Sequence, residues 1–273
     1  MNRPRRGYAG STVLVTGAGG GLGRAIALEF AAAGARIAAL DRDAAGVESL
    51  CDEVERRGGA CLALPCDVTD ADACTRAVGA TVERFGSLDV LVNNAGLSHR
   101  SAFARTDLDV IRRVMEVNFF GAVNCTRAAL PELLATRGQV IVISSVAGYT
   151  PLIARTGYAA SKHALHGFFD SLRTELAPKG VEVVIVCPSF IATRIDVNAL
   201  GGDGGPVRHA QVTVGRQLAA TDVAAAILDA AARGRRLLLV GRTARQAWWV
   251  SRLAPRLYER IMAARLRGEL GEP

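Results

Sequence analysis

Lysine is nearly missing from this chain of 273 residues: it occurs only at Lys162 and Lys179, beside 31 arginines. The six cysteines include no Cys-x-x-Cys pair, and no group of His and Cys has the spacing of metal ligands, so the sequence predicts no metal site. This cysteine pattern is typical of reduced thiols, and we expect a cytoplasmic protein. No apolar run reaches the roughly 18 residues that a membrane-spanning helix needs. The apolar run after the basic start of the chain is too short for a signal peptide.

The net charge of +7 is concentrated at the two ends of the chain. Residues 1–10 form a basic tail with three arginines and no acid, and residues 241–273 carry seven arginines and three glutamates. The stretch 11–240 is electrically balanced. A domain that binds nucleic acid needs a basic face of its own, so we expect no nucleic-acid partner.

Short apolar runs alternate with longer helical segments over residues 11–240. The runs are rich in Val, Ile and Leu without polar alternation, which is typical of strands buried on both faces. The predicted strands are 12–16, 36–40, 61–65, 88–92, 139–144, 182–187 and 236–240. The predicted helices lie near 22–34, 43–57, 70–85, 106–136, 156–178 and 220–233. This alternation predicts an α/β Rossmann fold, with a doubly wound, parallel, seven-stranded sheet flanked by helices, in a single domain over residues 1–273.

The first predicted strand leads into a glycine-rich turn, Thr16-Gly17-Ala18-Gly19-Gly20-Gly21-Leu22-Gly23, and then into a helix. Backbone N–H groups of such a turn, together with the helix N-terminus, bind the pyrophosphate of a dinucleotide, and glycine lets the backbone approach it closely. An ordinary glycine turn is the alternative. The candidate cofactor-binding residues of this segment are Gly17, Gly19, Gly21, Leu22 and Gly23.

Two charged residues, Asp41 and Arg42, follow the second predicted strand, about 20 residues beyond the glycine turn. A carboxylate at this place accepts hydrogen bonds from the adenosine ribose and repels a 2′-phosphate, which favours NAD as the cofactor. Arg42 keeps NADP open, because a guanidinium pairs well with phosphate. The other interpretation of Asp41 is an N-cap of the following helix.

A tyrosine and one of the two lysines stand four residues apart, in Tyr158-Ala159-Ala160-Ser161-Lys162. On a helix this spacing places both side chains on one face. An ammonium beside a phenol makes it acidic enough to move a proton. The alternative is that Lys162 is a solvated surface charge.

Further motifs complete an ordered set. Asn93-Asn94-Ala95-Gly96 follows the fourth predicted strand, Asn118 lies in Val117-Asn118-Phe119-Phe120-Gly121, and Ser144-Ser145 ends the fifth strand. Together with the glycine turn and Tyr158-x-x-x-Lys162, the set resembles the short-chain dehydrogenase/reductase family over about residues 10–240. The resemblance implies an NAD(P)-dependent oxidoreductase that interconverts a secondary alcohol and a ketone by hydride transfer.

The resemblance implies catalytic roles for four residues. Tyr158 would donate and accept the proton, and Ser145 would orient the substrate oxygen by a hydrogen bond. Lys162 would bind the nicotinamide ribose and lower the pKa of the tyrosine. Asn118 would anchor a water relay from Lys162 to solvent.

The resemblance also implies contacts along a cofactor cleft. Asp67 would meet the adenine, and Thr193 the nicotinamide carboxamide. The expected contacts outside the glycine turn are Asp41, Arg42, Asp67, Val68, Asn94, Ala95, Gly96, Tyr158, Lys162, Pro188, Ile191 and Thr193. The family often has Pro-Gly where this chain has Pro188-Ser189, which leaves the backbone path beside the nicotinamide open.

Residues 189–216 are expected to form a lid, with the glycine cluster 201–205 as its flexible part. The expected pocket lining is mainly apolar and consists of Leu97, Val146, Tyr149, Thr150, Leu152, Ile153 and Phe190. It favours a hydrophobic alcohol or ketone, such as a lipid, a steroid or a terpenoid. His99 is a polar loop residue or a substrate contact. His163 and His166 are expected at the surface or an interface, and Phe168-Phe169 in the core or against a second subunit of a homodimer or homotetramer.

Residues 241–273 form a basic, amphipathic, helical extension that contains both tryptophans of the chain, with Pro255 expected to kink or split it. The extension is expected to fold back on its own domain, to contact a membrane surface peripherally, to cover a substrate entrance or to pack on a partner subunit. Two other functions stay open: a dinucleotide sensor without turnover, and a membrane-docked interaction protein.

Overall fold

One parallel sheet of seven strands organises the computed structural model, which describes residues 5–193, 198–207, 212–213 and 215–270. The strand order is β3-β2-β1-β4-β5-β6-β7, which confirms the predicted α/β class and doubly wound sheet. The strands are β1 (Thr12–Thr16), β2 (Arg36–Asp41), β3 (Cys61–Pro65), β4 (Val90–Asn93), β5 (Gln139–Ile143), β6 (Glu182–Pro188) and β7 (Leu237–Val240). The helices are α1 (Gly21–Ala32), α2 (Ala44–Arg56), α3 (Ala71–Phe85), α4 (Leu108–Met115), α5 (Gly121–Thr136), α6 (Thr156–Leu176), α7 (Ala220–Ala232), α8 (Arg242–Leu253) and α9 (Pro255–Leu266).

The strands are buried on both faces because helices cover both sides of the sheet. In β1, Val13 and Val15 belong to the core cluster on the side of α1, α2 and α7, whereas Leu14 belongs to the cluster on the side of α3, α5 and α6. Successive side chains of a strand point to opposite faces, so an uninterrupted apolar run is required for two cores.

The predicted helix over 106–136 is confirmed over 108–136, but it is not one regular α-helix. The structure has α4, then a π-helical turn at Glu116–Phe120, and then α5. The chain stays helical throughout, so the apolar period continues across the turn and the sequence pattern does not reveal the extra residue. Such π-bulges are frequent at functional sites, and this one contains Asn118.

The expectation that all six cysteines are reduced is wrong for one pair, because Cys51 of α2 and Cys61 of β3 form a disulfide. The short connection after α2 returns the chain beside the helix and brings the two Cα atoms to 5.0 Å, within the span of a disulfide. Cys66, Cys74, Cys125 and Cys187 are free and buried.

The C-terminal extension consists of α8 and α9, which are separated at Ala254, directly before Pro255. Ala244, Ala247, Tyr258 and Leu266 face the domain, since they are buried. Among the described residues, no helix is both long and apolar enough to cross a membrane.

Candidate active site

The strand order reverses between the neighbouring strands β1 and β4, and a crevice is expected outside their carboxyl ends. Ligands of open α/β sheets bind at such a point. The glycine turn follows β1 and the Asn93-Asn94-Ala95-Gly96 segment follows β4, so the topology brings these two motifs together.

Hydrogen bonds join the two motifs. The Thr16 hydroxyl accepts from the backbone N–H groups of Asn94 (2.9 Å) and Ala95 (3.0 Å). The Asn94 amide donates to the carbonyls of Thr16 (2.9 Å) and Gly17 (3.2 Å). The side chains of Thr16 and Asn94 therefore hold the glycine turn against the loop after β4.

Two glycines of the turn have no room for a side chain. Gly17 has φ +67°, and a Cβ there would lie 2.9 Å from the Ala95 Cα. A Cβ on Gly23 would overlap the carbonyl oxygen of Gly17. No described side chain caps the N-terminus of α1 at Gly20, and its first turn contains no acid. A closely approached turn followed by an uncapped helix N-terminus fits the pyrophosphate of a dinucleotide.

Asp41 lies beside this turn. One of its oxygens accepts from the Gly19 N–H at 3.0 Å, and the other accepts from the Asp43 N–H at 3.0 Å. The N-cap interpretation of Asp41 is wrong, because Asp43 caps α2 by accepting from the Gly46 N–H. Arg42 is exposed next to it.

The expected adenine side of the cleft is built around Asp67 and Val68. The Asp67 carboxylate accepts from the N–H and hydroxyl of Thr69, both at 2.9 Å. Val68 is buried against Gly121, where a Cβ would lie 2.6 Å from the valine Cγ2. The packing positions this loop at the carboxyl end of β3, as the cleft requires.

Asn118 connects the two halves of the site. Its Oδ1 accepts from the Leu97 N–H at 2.8 Å, and its Nδ2 donates to the Leu97 carbonyl and to the Ser161 hydroxyl, both at 2.9 Å. The π-helical turn places this buried amide between the loop after β4 and helix α6, which carries Tyr158 and Lys162.

Lys162 is buried, so the interpretation as a surface charge is wrong. Its ammonium donates to the Ile143 carbonyl at 2.9 Å and lies 5.7 Å from the centre of the Tyr158 ring. Burial lowers the pKa of Lys162 to about 8, because the charged form loses its hydration. A Cβ on Gly96 would be 3.6 Å from the ammonium, so the Asn93–Gly96 segment lies against it.

Tyr158 and Ser145 lie on neighbouring elements. Tyr158 is 9% exposed and packs with Val114 and Ala147. Ser145 is half-buried just after β5, and its hydroxyl accepts from the Ala147 N–H at 3.1 Å. The preceding Ser144 hydroxyl donates to the Lys162 carbonyl at 3.3 Å, which ties the end of β5 to α6. The structure therefore brings the predicted serine, tyrosine, lysine and asparagine into one region.

The histidines differ from expectation. His99 is fully buried and its Nε2 accepts from the Gly157 N–H at 2.9 Å, so it supports the start of α6 instead of facing a substrate. Burial, with the charge of Arg155 acting in the same direction, lowers the pKa of His99 to about 4. His166 is half-buried with its Nε2 3.1 Å from the Ser144 hydroxyl, and burial lowers the pKa of His166 to about 4. Only His163 is exposed as expected.

The C-terminal extension covers two of the expected pocket residues. The Tyr149 hydroxyl donates to the Ala244 carbonyl at 2.7 Å, and the Tyr258 hydroxyl donates to Thr150 at 3.0 Å. Tyr149 also packs edge-on against Trp248, with ring centres 4.9 Å apart. The extension therefore folds back on its own domain, beside the expected substrate pocket.

The lid is described only in part, since 194–197, 208–211 and 214 lie outside the described residues. The glycine cluster 201–205 is tied to the domain, because the Gly202 carbonyl accepts from the Asp107 N–H at 2.8 Å. Thr193 reaches the glycine turn: a Cβ on Gly21 would be 3.4 Å from the Thr193 Cβ. Pro188 ends β6, and Ile191 pairs with Leu218.

A buried carboxylate near the C-terminus was missed by the sequence reasoning. Glu269 is 1% exposed, and its oxygens lie 3.9 Å from Arg100 and 3.8 Å from Arg155. It also accepts from the Val212 N–H at 2.5 Å. Arg155 is the N-cap residue of α6, so the chain terminus contacts the helix that carries Tyr158. No sequence pattern marks Glu269, because an acid in an arginine-rich tail is typical of solvent exposure.

Comparison with known proteins decides the family. A sequence profile described as short chain dehydrogenase matches residues 11–201. The chain belongs to the short-chain dehydrogenase/reductase family. Residues 11–201 hold every predicted catalytic residue, from Asn118 to Lys162, and the glycine turn.

Relatives and solved structures of short-chain dehydrogenases extend the match. The chain is 38% identical to dehydrogenase/reductase SDR family member 7B from Rattus norvegicus, over 95% of this chain and 82% of that protein. It is 39% identical to the protein of the same name from Bos taurus, over 98% and 85%. A short-chain dehydrogenase from Streptomyces avermitilis is 29% identical, with a TM-score of 0.79 over 94% of this chain and 98% of that one. A Burkholderia phymatum member, solved in complex with NAD, is 24% identical with a TM-score of 0.82 over 92% and 96%, which supports the fold.

In the part of the chain that the structure describes, no group of three or more His, Cys, Asp or Glu side chains is arranged to hold a metal ion.

Proposed function

We propose that this short-chain dehydrogenase/reductase interconverts a secondary alcohol and a ketone with a nicotinamide cofactor, and that Tyr158 is its general acid and base. The observation that carries the proposal is the buried Lys162 ammonium beside the Tyr158 ring, on a helix that Ser161 and Asn118 tie to the loop after β4. Burying a charge is costly, so a lysine kept here has a purpose other than solubility.

The glycine turn, Asp41 and the N-terminus of α1 would hold the cofactor, which supplies the hydride acceptor or donor when bound. The fit rests on Gly17 and Gly23, where any Cβ would close the space, and on the uncapped start of α1. Asp41 favours NAD, because its carboxylate would repel a 2′-phosphate beside Gly19. Exposed Arg42 keeps NADP as the alternative.

The protein residues would handle the proton. Ser145 would hold the substrate oxygen, and Tyr158 would take the hydroxyl proton during oxidation and return it during reduction. Lys162 would stabilise the phenolate by its charge, which acts more strongly in a buried site than in bulk water. Asn118 holds the backbone that surrounds these groups and would anchor the water relay to Lys162.

A hydrophobic substrate is part of the proposal. Leu97 and Leu152 pack against the cluster that contains Tyr158. The Leu152-Ile153 segment lines a groove of about 280 Å³ together with Met262 and one acid, Glu259, of α9. An apolar surface next to the phenol favours a lipid, steroid or terpenoid alcohol over a charged one.

The remaining expectations also stay proposals: a cytoplasmic protein of one domain that forms a homodimer or homotetramer. Phe169 is fully buried in the core, whereas Phe168 packs edge-on against Phe119 at 5.8 Å, next to Phe120, which is 44% exposed. This partly exposed aromatic cluster supports a subunit contact.

The test is Tyr158→Phe, which keeps the ring and removes the proton. With a panel of hydrophobic alcohols and ketones, kcat should fall by roughly 10²–10⁴-fold while cofactor affinity is retained. Tyr8→Phe is the matched control, because it removes another buried hydroxyl, bonded to Gln139 at 3.0 Å, far from the crevice. Full activity of Tyr158→Phe would refute the mechanism. Cofactor binding by the unaltered protein, without turnover of any panel compound, would favour the dinucleotide sensor.

A further inference from the structure

Four large apolar side chains of the C-terminal extension are exposed: Trp249 (62%), Leu253 (78%), Leu257 (52%) and Ile261 (39%). They recur at every fourth position, two on α8 and two on α9. Residues four apart share one face of a helix. Because other residues of the same helices pack on the domain, these apolar faces are turned outward.

Arginines surround these side chains. Arg245 and Arg252 lie four and three positions from Trp249. Arg256 directly precedes Leu257, and Arg260 directly precedes Ile261. Arg256, Leu257 and Arg260 line an open groove of about 420 Å³ with Ala254 and Pro255. Between residues 242 and 267 the sequence has seven arginines and one acid, Glu259. The outer surface of α8 and α9, which we call the α8–α9 face, is therefore apolar and strongly basic together.

The positive charge of the α8–α9 face favours one kind of binding partner over another. A second copy of the chain, packed symmetrically, would bring two arginine-rich faces together, which is repulsive. A lipid surface with anionic headgroups offers phosphates to the arginines and an acyl boundary to the apolar side chains. We infer that the α8–α9 face docks on an anionic membrane surface, with both helices lying in the interface.

Docking would place the bilayer near the substrate side of the enzyme. Met262 of α9 lines the groove with Leu152 and Ile153, and Tyr258 holds Thr150. A lipid-soluble alcohol would then reach the crevice from the membrane. This consequence rests on the proposed function, whereas docking itself is independent of catalysis and is tested without substrate.

The first experiment compares binding of the full chain to vesicles of phosphatidylcholine alone and of phosphatidylcholine with phosphatidylglycerol, by co-sedimentation. Binding should require the anionic lipid and weaken with salt. Arg256→Gln with Arg260→Gln should lower the partition coefficient about 30-fold, from roughly 1 kcal/mol per arginine near the surface. The matched control is Arg56→Gln with Arg84→Gln, which removes two exposed arginines from α2 and α3, at the opposite edge of the sheet, and should leave binding unchanged.

The second experiment removes the apolar side chains by Trp249→Ser, Leu253→Ser and Leu257→Ser in one protein. Vesicle binding should fall by roughly 100-fold, with thermal unfolding and cofactor affinity unchanged because the three side chains are exposed. Vesicle binding equal to that of the unaltered chain would overturn the inference. Negligible vesicle binding by the unaltered chain would also overturn it. A third contrary result would be an unaltered chain that is dimeric and a triple variant that is monomeric, with equal vesicle binding; this would identify a second copy of the chain as the occupant.

Discussion

Replacing Lys162 by methionine should stabilise the fold while it abolishes catalysis. The ammonium is buried, and burial lowers the pKa of Lys162 from 10.5 to about 8. At 1.36 kcal/mol per unit, carrying this charge at neutral pH costs the folded state about 3 kcal/mol. Methionine has a similar shape and no charge, but it loses the hydrogen bond to the Ile143 carbonyl, which offsets about 1 kcal/mol. We expect Lys162→Met to be more stable at pH 7 by about 2 kcal/mol.

The stability difference between Lys162→Met and the unaltered protein should depend on pH. Between pH 8 and pH 10.5 the lysine is deprotonated in the folded state and still protonated in the unfolded state. The unfolded state then binds more protons, so the stability of the unaltered protein rises with pH through this window. The advantage of Lys162→Met should therefore disappear as the pH rises above about 8.

The assay is urea unfolding of both proteins from pH 6 to pH 10. Both proteins contain the same cysteines and tyrosines, so the contribution of these groups cancels when the two free energies of unfolding are subtracted. The interpretation is simple because the sequence has only one other lysine, Lys179. Lys179→Met is the control: this side chain is exposed, and its removal should change the free energy of unfolding by under about 0.5 kcal/mol. A Lys162→Met protein that is less stable than the unaltered chain at pH 7 would refute the reasoning.

Three further predictions follow from the same geometry. Asp41→Ala should raise kcat/KM with NADP relative to NAD, because the carboxylate beside Gly19 no longer repels a 2′-phosphate; an unchanged ratio would remove Asp41 from the ribose site. Gly23→Ala should abolish cofactor binding measured by fluorescence titration, since its Cβ would overlap the turn, whereas Gly79→Ala, with open space on α3, should bind normally. Glu269→Gln should lower the free energy of unfolding by about 2 kcal/mol, because it removes a buried carboxylate that pairs with Arg100 and Arg155. Exposed Glu259→Gln should change the free energy of unfolding by under about 0.5 kcal/mol, and equal effects would show that the two ion pairs contribute nothing.

The elements of the sheet could be predicted because their determinants are local. Uninterrupted apolar runs predict strands buried on both faces, and the structure places every predicted strand within two residues of its expected bounds. The glycine turn was predictable for the same reason: a tight strand-to-helix connection needs residues such as Gly17, which adopts a positive φ.

The extra residue at Glu116–Phe120 escaped prediction, because a π-helical turn shifts the helix by a single position without breaking its apolar pattern. The disulfide between Cys51 and Cys61 depends on how the chain returns from α2 to β3, which cysteine spacing does not reveal. The π-helical turn and the disulfide both depend on the three-dimensional course of the backbone.

Long-range contacts account for the other differences. His99 was predictable as a polar loop residue, but its burial against Gly157 requires contact between the loop after β4 and the start of α6. Glu269 has the composition of a solvated tail and becomes buried only because Arg100 and Arg155 meet it. Lys162 could be identified from its spacing to Tyr158, yet the lowered pKa arises from burial, which the spacing alone does not specify.

The sequence by itself determined the order of strands and helices, the glycine turn and the spacing of the serine, tyrosine and lysine, because each depends on residues close together in the chain. Tertiary structure decided which of the charged residues are buried, which histidines are neutral, and which face of the C-terminal extension is turned outward. Those properties depend on desolvation and on contacts between residues that are distant in sequence, and they exist only after the elements have packed.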